Sequence, residues 1–283
     1  MIKIENLTFN YPKQKELFNN LNLQLKDGSV HGLLGKNGAG KTTLLKIIAG
    51  LRFPKKGYCR AYGYDTYKRY PDFLKKLYFI PEEFYTPSIT IKEFIGIYAP
   101  FYPNFSKSNL YEYIKEFEIP DKGNLSSFSY GQKKKFLISF GLATNCQILI
   151  LDEPTNGLDI PSKSKFRKVL ASSINSERSF IISTHQVRDI DQLIDPIVIL
   201  DEGEIIFNHS LDEISNNLAI QIVDELPEED VLYSESTIGG YSVVKENIDL
   251  ESTALDVETI FNAVINNKDK INQIFDKSNK PQS

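Results

Sequence analysis

The sequence predicts an α/β fold, and two kinds of segment support this prediction. Residues 30–34 form a short apolar run that enters a glycine-rich loop, and the chain after the loop places apolar residues at helical spacing. Other runs are apolar without alternation, which is typical of parallel strands buried on both faces: 147–151, 180–183 and 197–200. The stretches between these runs suit crossover helices, roughly at 162–175 and 186–194.

The glycine-rich loop matches a phosphate-binding pattern. Gly35, Gly40, Lys41 and Thr42 fit the spacing G-x-x-x-x-G-K-[ST] between a strand and a helix. Glycines there, and at Gly38, let backbone N–H groups surround a phosphate without obstruction by Cβ atoms. Lys41 can reach the outer phosphate oxygens, the Thr42 hydroxyl can ligate Mg²⁺, and the helix N-terminus favours the same anion. The alternative is a glycine turn before an ordinary helix.

Composition and charge narrow the functional classes. The 283 residues are 41% hydrophobic and 25% charged, as in soluble globular proteins. A net charge of −4 argues against a strongly basic nucleic-acid binder, so no nucleic-acid partner is expected. Cys59 and Cys146 lack metal-ligand spacing and fit a reducing compartment. No apolar run approaches the ~20 residues that span a bilayer, and the N-terminus has no signal-peptide pattern.

The rest of the first 218 residues divides into strands and a helical insertion. Strands are predicted around the loop and just before Pro81: 1–9, 21–26, 58–62 and 77–80. Residues 90–146 carry apolar stripes at i, i+3, i+4 and i+7, which predicts a helical subdomain. Its many aromatic side chains indicate either core packing, which we favour for most of them, or a groove for a partner helix.

The character of the chain changes from residue 219 onward. Strands are predicted at 219–223 and within 231–244, with Gly239-Gly240 as a hairpin turn. A helix is predicted at 252–264, and the polar end, 266–283, is predicted to fray. The sequence therefore predicts a small C-terminal α+β appendage, 219–283, after a domain that comprises residues 1–218.

Two adjacent acids end the apolar run at 147–151. Asp152 and Glu153 would lie at the carboxyl end of a buried strand, where ligands bind in α/β sheets. There Asp152 can hold Mg²⁺, and Glu153 can polarise the water that attacks a phosphate. Because unpaired buried carboxylates are costly, packing alone explains this pair poorly.

Five segments occur in the order found in ABC-transporter ATP-binding subunits, which this chain resembles. They are Gly35–Thr43, Phe128-Ser129-Tyr130-Gly131-Gln132, Leu149–Pro154, Asn156-Gly157-Leu158-Asp159 and Ser183-Thr184-His185. The resemblance covers about residues 1–218, and few other NTPases carry all five motifs. Segments 101–105 and 256–261 further resemble bacterial ABC-2-type exporter ATPases. The implied fold is a P-loop NTPase (ABC ATPase) core with an antiparallel β subdomain and a helical subdomain.

The resemblance implies a site for ATP and Mg²⁺. Tyr11 would stack on adenine. The loop would cradle the phosphates through Gly35, Asn37, Gly38, Ala39, Gly40, Lys41, Thr42 and Thr43. Thr42, Asp152 and Glu82 would ligate the metal. Glu153 would be the catalytic base, with His185 and Lys41 at the γ-phosphate.

The resemblance also implies that a second subunit completes this site. The signature residues Ser129, Gly131 and Gln132 would contact ATP bound to the opposite subunit. Asp159 would line the contact between the two subunits. The helix after the signature would aim its positive end at that phosphate. Residues 133–135 are three lysines that oppose this helix dipole, so either phosphate attraction or simple solvation must offset them.

Two positions depart from the family pattern. Glu82 stands where the family usually has a glutamine that meets Mg²⁺, although Glu83 could take that position instead. A carboxylate can still ligate the metal, but it adds negative charge near the γ-phosphate and cannot donate a hydrogen bond. Tyr130 replaces a signature glycine, and its ring should restrict backbone approach to the nucleotide of the other subunit. We therefore expect a slow or partner-dependent ATPase.

The expected function is ATP hydrolysis that powers transport, in the direction of export, through a separate transmembrane permease subunit. A second copy, or a homologous ATPase subunit, would close head-to-tail with this chain over two ATP·Mg²⁺. The chain would be cytoplasmic and peripheral on the inner face of the membrane. Two alternatives stay open: a soluble ABC ATPase without a transport role, and a nucleotide-dependent regulator that barely hydrolyses, for which Glu82 and Tyr130 are the only support.

Overall fold

The computed structural model describes residues 1–227, 229–248, 250 and 253–278. Its strands are β1 (Ile2–Phe9), β2 (Phe18–Leu25), β3 (Val30–Leu34), β4 (Lys56–Ala61), β5 (Tyr64–Asp65), β6 (Leu77–Ile80), β7 (Ile148–Asp152), β8 (Ser179–Thr184), β9 (Ile197–Asp201), β10 (Glu204–His209), β11 (Leu218–Val223), β12 (Tyr233–Thr237) and β13 (Gly240–Glu246). Its helices are α1 (Lys41–Ile48), α2 (Pro71–Leu74), α3 (Ile91–Tyr98), α4 (Lys107–Glu116), α5 (Tyr130–Ala143), α6 (Ile160–Ser173), α7 (Leu211–Asn217) and α8 (Val257–Ser278).

A six-stranded sheet in the order β10-β9-β3-β8-β7-β6 forms the centre of the molecule. Its strands run parallel except for the edge pair of β9 and β10. Every residue of β3, β7 and β8 is buried, which explains their uninterrupted apolar sequences. The α/β prediction is confirmed. The carboxyl ends of β3, β7 and β8 meet at one edge, where Leu34 pairs with Thr184 and Asp152 with Ser183.

Alternate residues of this sheet face two different layers. On one face, Ile148 and Ile150 of β7 pack in a cluster with α1 and the antiparallel sheet β2-β1-β4-β5. On the other face, Leu149 and Leu151 pack in a cluster with the helical region and the C-terminal elements. The antiparallel β subdomain and the helical subdomain thus cover opposite faces of the central sheet.

The helical region consists of α3, α4 and α5. Each helix begins at a side chain that accepts a hydrogen bond from its first turn: Thr90, Ser106 and Ser129. Phe94 of α3 meets Phe136 and Phe140 of α5 edge to face, with centroids 5.1 and 5.0 Å apart. Core packing explains these rings, whereas Tyr85 and Phe101 are 85% and 63% exposed.

The stretch 186–194 is not the crossover helix that was predicted between the apolar runs at 180–183 and 197–200. A 3-10 turn forms there at Val187–Asp189. Asp191 accepts the backbone N–H of Gln192 through its side chain at 2.7 Å, and such a local bond competes with helix formation. Val187 and Ile190 nevertheless reach the core, so the apolar spacing is satisfied without a helix.

The C-terminal region forms the predicted small α+β unit. Its sheet has the antiparallel order β11-β13-β12, and the predicted turn at Gly239-Gly240 joins β12 to β13. The predicted helix at 252–264 begins at Val257, and Ser252 lies outside the described residues. Arg188 forms an ion pair with Glu258 at the start of α8, so this unit contacts the segment that follows His185.

The predicted fraying after residue 266 is wrong as far as Ser278. Helix α8 continues to that residue, with non-helical torsion angles at Asn267. Ile271, Ile274 and Phe275 are buried and form an apolar stripe at i, i+3 and i+4, which explains why the polar segment stays helical. Residues 279–283 lie outside the described part of the chain.

No helix among the described residues is long and apolar enough to cross a bilayer. Both cysteines are free thiols inside the core. Burial raises the pKa of Cys59 to about 12 and the pKa of Cys146 to about 11. The two thiols are therefore protonated core residues at neutral pH.

Candidate functional site

The glycine loop between β3 and α1 leads into a helix whose first turn has no side-chain cap. Gly38 and Gly40 have φ of 84° and 108°, a left-handed region that residues with a Cβ rarely adopt. Helix α1 begins at Lys41, directly after Gly40, with no side-chain cap on its first turn. The N–H groups of the first turn therefore have no side-chain acceptor from a cap, which leaves them available to an anion.

Lys41 lies folded over the same loop. Its Nζ donates to the backbone oxygens of Gly35 at 2.7 Å and Lys36 at 3.2 Å. The Glu153 carboxylate is 3.7 Å away. Burial lowers the pKa of Lys41, and the charge of Glu153 opposes that shift. A phosphate in the loop would offer Lys41 stronger charge-assisted bonds than these carbonyls do.

A cavity of about 540 Å³ opens above the loop. The predicted site residues that line it are Tyr11, Asn37, Gly38, Gly40, Lys41, Thr42, Thr43, Glu82 and Glu153. The Tyr11 hydroxyl is 2.9 Å from the Thr43 hydroxyl, which places the predicted adenine platform against the loop. Gly35 and Ala39 are buried beneath the loop instead.

A larger cleft, of about 1130 Å³, lies at the opposite edge of the sheet. Lys76, Gln147 and Arg178, which precede β6, β7 and β8, line it. It contains none of the predicted site residues. Ligands of open α/β sheets bind at the carboxyl ends of the strands, so the smaller cavity is the candidate site.

Asp152 ends β7 with one satisfied and one unsatisfied carboxylate oxygen. Its Oδ1 accepts from the Ser183 hydroxyl at 2.6 Å, whereas its Oδ2 is buried and has no hydrogen-bond partner among the described residues. A buried carboxylate oxygen without a partner is costly, and a hard cation would satisfy it. The described residues hold no cluster of three acidic, histidine or cysteine side chains. A single carboxylate with substrate phosphates is the usual donor set for Mg²⁺, so the residues fit that ion.

Glu153 is fixed on both sides of its Cα atom. Its φ is 47°, and its N–H donates to the backbone oxygen and the hydroxyl of Ser183, each at 3.1 Å. Its carboxylate Oε2 lies 2.9 Å from Nδ1 of His185. The resemblance implies that His185 and Glu153 belong to one site, and the structure brings the two side chains into contact.

Glu82, rather than Glu83, is the acid of its loop that faces the cavity. Its Oε1 accepts from the Asn156 amide at 2.8 Å. Its backbone oxygen accepts from the Tyr130 hydroxyl at 2.9 Å. The loop after β6 is thereby tied both to the turn after Glu153 and to the first residue of α5.

Comparison with known proteins identifies the family of this chain. A family model described as ABC transporter matches residues 18–156. The bacitracin transport ATP-binding protein BcrA of Bacillus licheniformis is 32% identical over 258 residues, which are 88% of this chain and 83% of that protein. This chain belongs to the ABC transporter ATP-binding proteins. It is an ATPase of that family and the energy-supplying subunit of a transporter.

Other ABC relatives agree. The lantibiotic transport ATP-binding protein SrtF of Streptococcus pyogenes is 30% identical over 233 residues, 77% of this chain and 96% of that protein. A dimeric bacterial ABC transporter cassette matches with a TM-score of 0.65 at 25% identity, over 75% of this chain and 99% of that one. The ATP-binding subunit of another ABC transporter matches with a TM-score of 0.68 at 24% identity, over 75% of this chain and 91% of that chain, which shows the shared fold.

The ABC signature segment lies outside the cavity of its own chain. Ser129 caps α5 in a capping box with Gln132, and Asp159 caps α6 by accepting the N–H of Ser162 at 2.9 Å. Ser129 and Asp159 are exposed, and Gly131 is partly exposed. The structure thus does not bring the signature residues to the nucleotide cavity of the same chain.

Tyr130 packs within its own ABC cassette. Its ring stacks on Phe84, with centroids 5.0 Å apart and planes 21° apart. A Cβ on Gly157 would come within 3.0 Å of the Tyr130 ring. The side chain is nevertheless 49% exposed, so one face of the ring stays open to solvent. Tyr130 therefore joins the signature to the loops at 82–84 and 156–157.

Sequence reasoning missed three residues of this site. Ser183 and Asn156 belong to quoted motifs, but their bonds to Asp152 and Glu82 were not predicted. Lys134 was assigned to phosphate attraction or solvation, and both explanations are wrong because it is fully buried and bonds to Glu153 and Asn156. Its signal was the spacing, since positions 134, 137, 138 and 141 form one buried face of α5.

Proposed function

We propose that the cavity above the loop binds ATP with Mg²⁺, that Glu153 and His185 drive hydrolysis, and that this hydrolysis powers export through a separate permease. The contact of Glu153 with His185 at 2.9 Å, beside Lys41 at 3.7 Å, carries the proposal. A base, an orienting histidine and a phosphate-binding lysine are the groups that hydrolysis of a phosphoanhydride needs.

Nucleotide binding uses the loop and Tyr11. The free N–H groups of the loop and of the α1 N-terminus hold the phosphates, and Lys41 exchanges its two carbonyl partners for phosphate oxygens. The Tyr11 ring has its orientation set by an edge contact with Phe9, at 5.1 Å, and by its bond to Thr43. It provides an aromatic platform for adenine at the mouth of the cavity.

Mg²⁺ fits beside Asp152. The Thr42 hydroxyl, which is half-buried at the cavity, and the unpaired Oδ2 of Asp152 would hold it, with Glu82 as a further oxygen donor. When bound, the ion neutralises charge that builds up on the phosphate oxygens. Ser183 holds Asp152 in orientation through its other oxygen.

Glu153 accepts the proton of the attacking water. Its carboxylate faces the cavity, where Lys41 and His185 approach its two oxygens. His185 fixes the direction of the carboxylate and presents its ring to the γ-phosphate. Lys41 neutralises charge on the same phosphate, so water, base and phosphate are held together before the reaction.

A second subunit supplies the signature. Ser129, Gly131 and Gln132 lie on the surface at the N-terminus of α5, whose positive dipole end suits a phosphate bound to another subunit. Asp159 starts α6 beside Ile160, whose side chain is 84% exposed. Two subunits, either two copies or this chain with a homologue, would meet head-to-tail through these surfaces over two nucleotides.

The permease docks on an apolar groove beside the helical region. An apolar groove of about 570 Å³ lies between α2 and the start of the 99–102 turn, lined by Leu51, Leu74, Phe79, Phe101 and Tyr102. Phe101 is 63% exposed and Leu51 is 41% exposed, so apolar surface is available to a partner helix. The chain then sits in the cytoplasm on the inner face of the membrane, held by the permease.

Single-turnover hydrolysis tests this function. Glu153→Gln removes the base and should lower the rate by about 100-fold or more while ATP still binds. Glu177→Gln, at an exposed acid in the loop before β8, should keep the rate. The cleavage rate of each variant is measured with radiolabelled ATP and an excess of protein. Wild-type protein that binds ATP without measurable cleavage would favour the regulator instead, and equal rates for all three proteins would contradict the role of Glu153.

A further inference from the structure

Lys134 is a buried lysine whose bonds go to the catalytic turn. It lies on α5, two residues after the signature segment ends at Gln132, and its exposed fraction is 0%. Its Nζ donates to the backbone oxygen of Glu153 at 2.6 Å and to the backbone oxygen of Asn156 at 2.8 Å. One side chain thus joins the signature helix to the turn that begins with Glu153.

These bonds hold Glu153 in a conformation that it would not adopt unaided. A non-glycine residue at φ 47° costs about 1–3 kcal/mol unless its surroundings maintain it. Ser183 fixes the N–H side of Glu153, and Lys134 fixes its carbonyl side. The direction of the carboxylate toward His185 depends on both.

The positive charge of Lys134 is stabilised by carboxylates that do not contact it directly. Burial lowers the pKa of Lys134 to about 8, while Glu82, Glu153 and Asp152 oppose that shift. Within the described part of the chain none of these carboxylates forms an ion pair with Lys134, and its Nζ donates to two backbone carbonyl oxygens. The Tyr130 ring lies 5.9 Å from Nζ. A buried cation is expensive for packing alone, which points to a role in the site that its bonds connect.

We propose that Lys134 is a positioning residue for ATP hydrolysis: it holds the backbone of Glu153 and of the following turn so that the carboxylate faces the attacking water. Lys134 belongs to the signature helix. A movement of the helical region would therefore be transmitted to Glu153 of the same chain through the Lys134 ammonium group. The inference rests on the proposed role of Glu153 as the base.

Lys134→Met keeps the unbranched shape and removes both donors. We expect single-turnover hydrolysis to fall by about 10- to 100-fold, because a small misplacement of a catalytic group is enough for a loss of this size. Binding of a fluorescent ATP analogue with Mg²⁺ should change by less than about threefold, since Lys134 does not line the cavity. Lys115→Met, at an exposed lysine on α4, is the matched control and should keep both values.

A double-mutant comparison separates positioning from a general structural role. If Lys134 acts through Glu153, Lys134→Met should lower the residual rate of Glu153→Gln by less than about twofold, because the base is already absent. Lys134→Gln, which keeps an amide donor but is too short for both carbonyls, should fall between wild type and Lys134→Met. If Lys134→Met does not fold, the hydrolysis rate of Lys134→Gln tests the inference instead.

Three results would overturn the inference. They are a wild-type hydrolysis rate in Lys134→Met, an equal loss of rate when Lys134→Met is made in wild type and in Glu153→Gln, and a loss of rate explained by weaker ATP binding. A wild-type rate in the folded Lys134→Gln variant would do the same. Full hydrolysis by Glu153→Gln would instead overturn the proposed base, whereas an inactive Glu153→Gln beside an active Lys134→Met would overturn only the role of Lys134.

Discussion

Glu82 and Tyr130, the two residues that depart from the family pattern, contact each other. The Tyr130 hydroxyl donates to the Glu82 backbone oxygen, and the Glu82 carboxylate accepts from Asn156. Tyr130 also covers Gly157, so the pair locks the signature, the 82–84 loop and the 156–157 turn together in one chain. If the signature approaches a nucleotide on another subunit as proposed, these contacts would have to loosen, which is a physical reason to expect slow turnover.

Replacement of these two side chains should therefore speed the enzyme. Glu82→Gln removes a negative charge beside the γ-phosphate position, and Tyr130→Gly removes the ring that braces the loops. We expect each variant to raise steady-state turnover about two- to tenfold, which corresponds to roughly 0.4–1.4 kcal/mol in the barrier. Tyr130→Phe, which loses only the bond to Glu82, should lie between wild type and Tyr130→Gly. If purified wild type turns over faster than both Glu82→Gln and Tyr130→Gly, the bracing does not limit the rate.

At this scale the sequence predicts residues that share a contiguous motif, and it misses contacts made across the fold. Lys41, Thr42, Asp152 and Glu153 stand in short patterns whose chemistry can be read directly, whereas the role of His185 follows from the resemblance to the family. The bonds from Lys134 to the carbonyls of Glu153 and Asn156 join positions 19 and 22 residues apart, and they exist only once α5 packs beside β7. A pattern along the chain cannot show which buried lysine will find those carbonyls.

Among the elements, the buried apolar strands were predicted well, whereas one edge strand, one crossover and one helix end were not. Strand β10 was missed because its hairpin turn, Glu202-Gly203, has φ of 45° and 82° without the asparagine or aspartate that usually marks such turns. The helix predicted at 186–194 is wrong because Asp191 satisfies the backbone locally. The end of α8 was missed because three apolar side chains are enough to bury an otherwise polar segment.

The packing of the end of α8 predicts that this segment contributes to the free energy of unfolding. Phe275 is buried against Phe207 and His209, with ring centroids 5.2 and 4.2 Å away. Phe275→Ala should lower the free energy of unfolding by about 3–5 kcal/mol, since it leaves a cavity under the helix. Lys277→Ala, at an exposed position on the same helix, is the control. Urea denaturation measures both, and a loss below about 1 kcal/mol for Phe275→Ala would mean that the tail frays after all.

At the scale of the whole molecule, the proposed function places two halves of an ATP site on separate surfaces. The cavity with Lys41 and Glu153 lies at the carboxyl edge of the central sheet, and the signature at Ser129 lies on the surface of the helical region. The α/β class and the buried strands could be predicted from apolar runs alone. The order β10-β9-β3-β8-β7-β6 could not, because nothing local to a strand identifies its neighbours.

This separation of the two halves predicts an ATP-dependent dimer, which is the central claim. Glu153→Gln with saturating ATP and Mg²⁺ should elute from a sizing column with light scattering at twice the mass of one chain, because nucleotide stays bound between two subunits. The same protein with Ser129→Arg added should stay at the mass of one chain, since the signature can no longer approach. Glu153→Gln that stays monomeric with saturating ATP would contradict the claim.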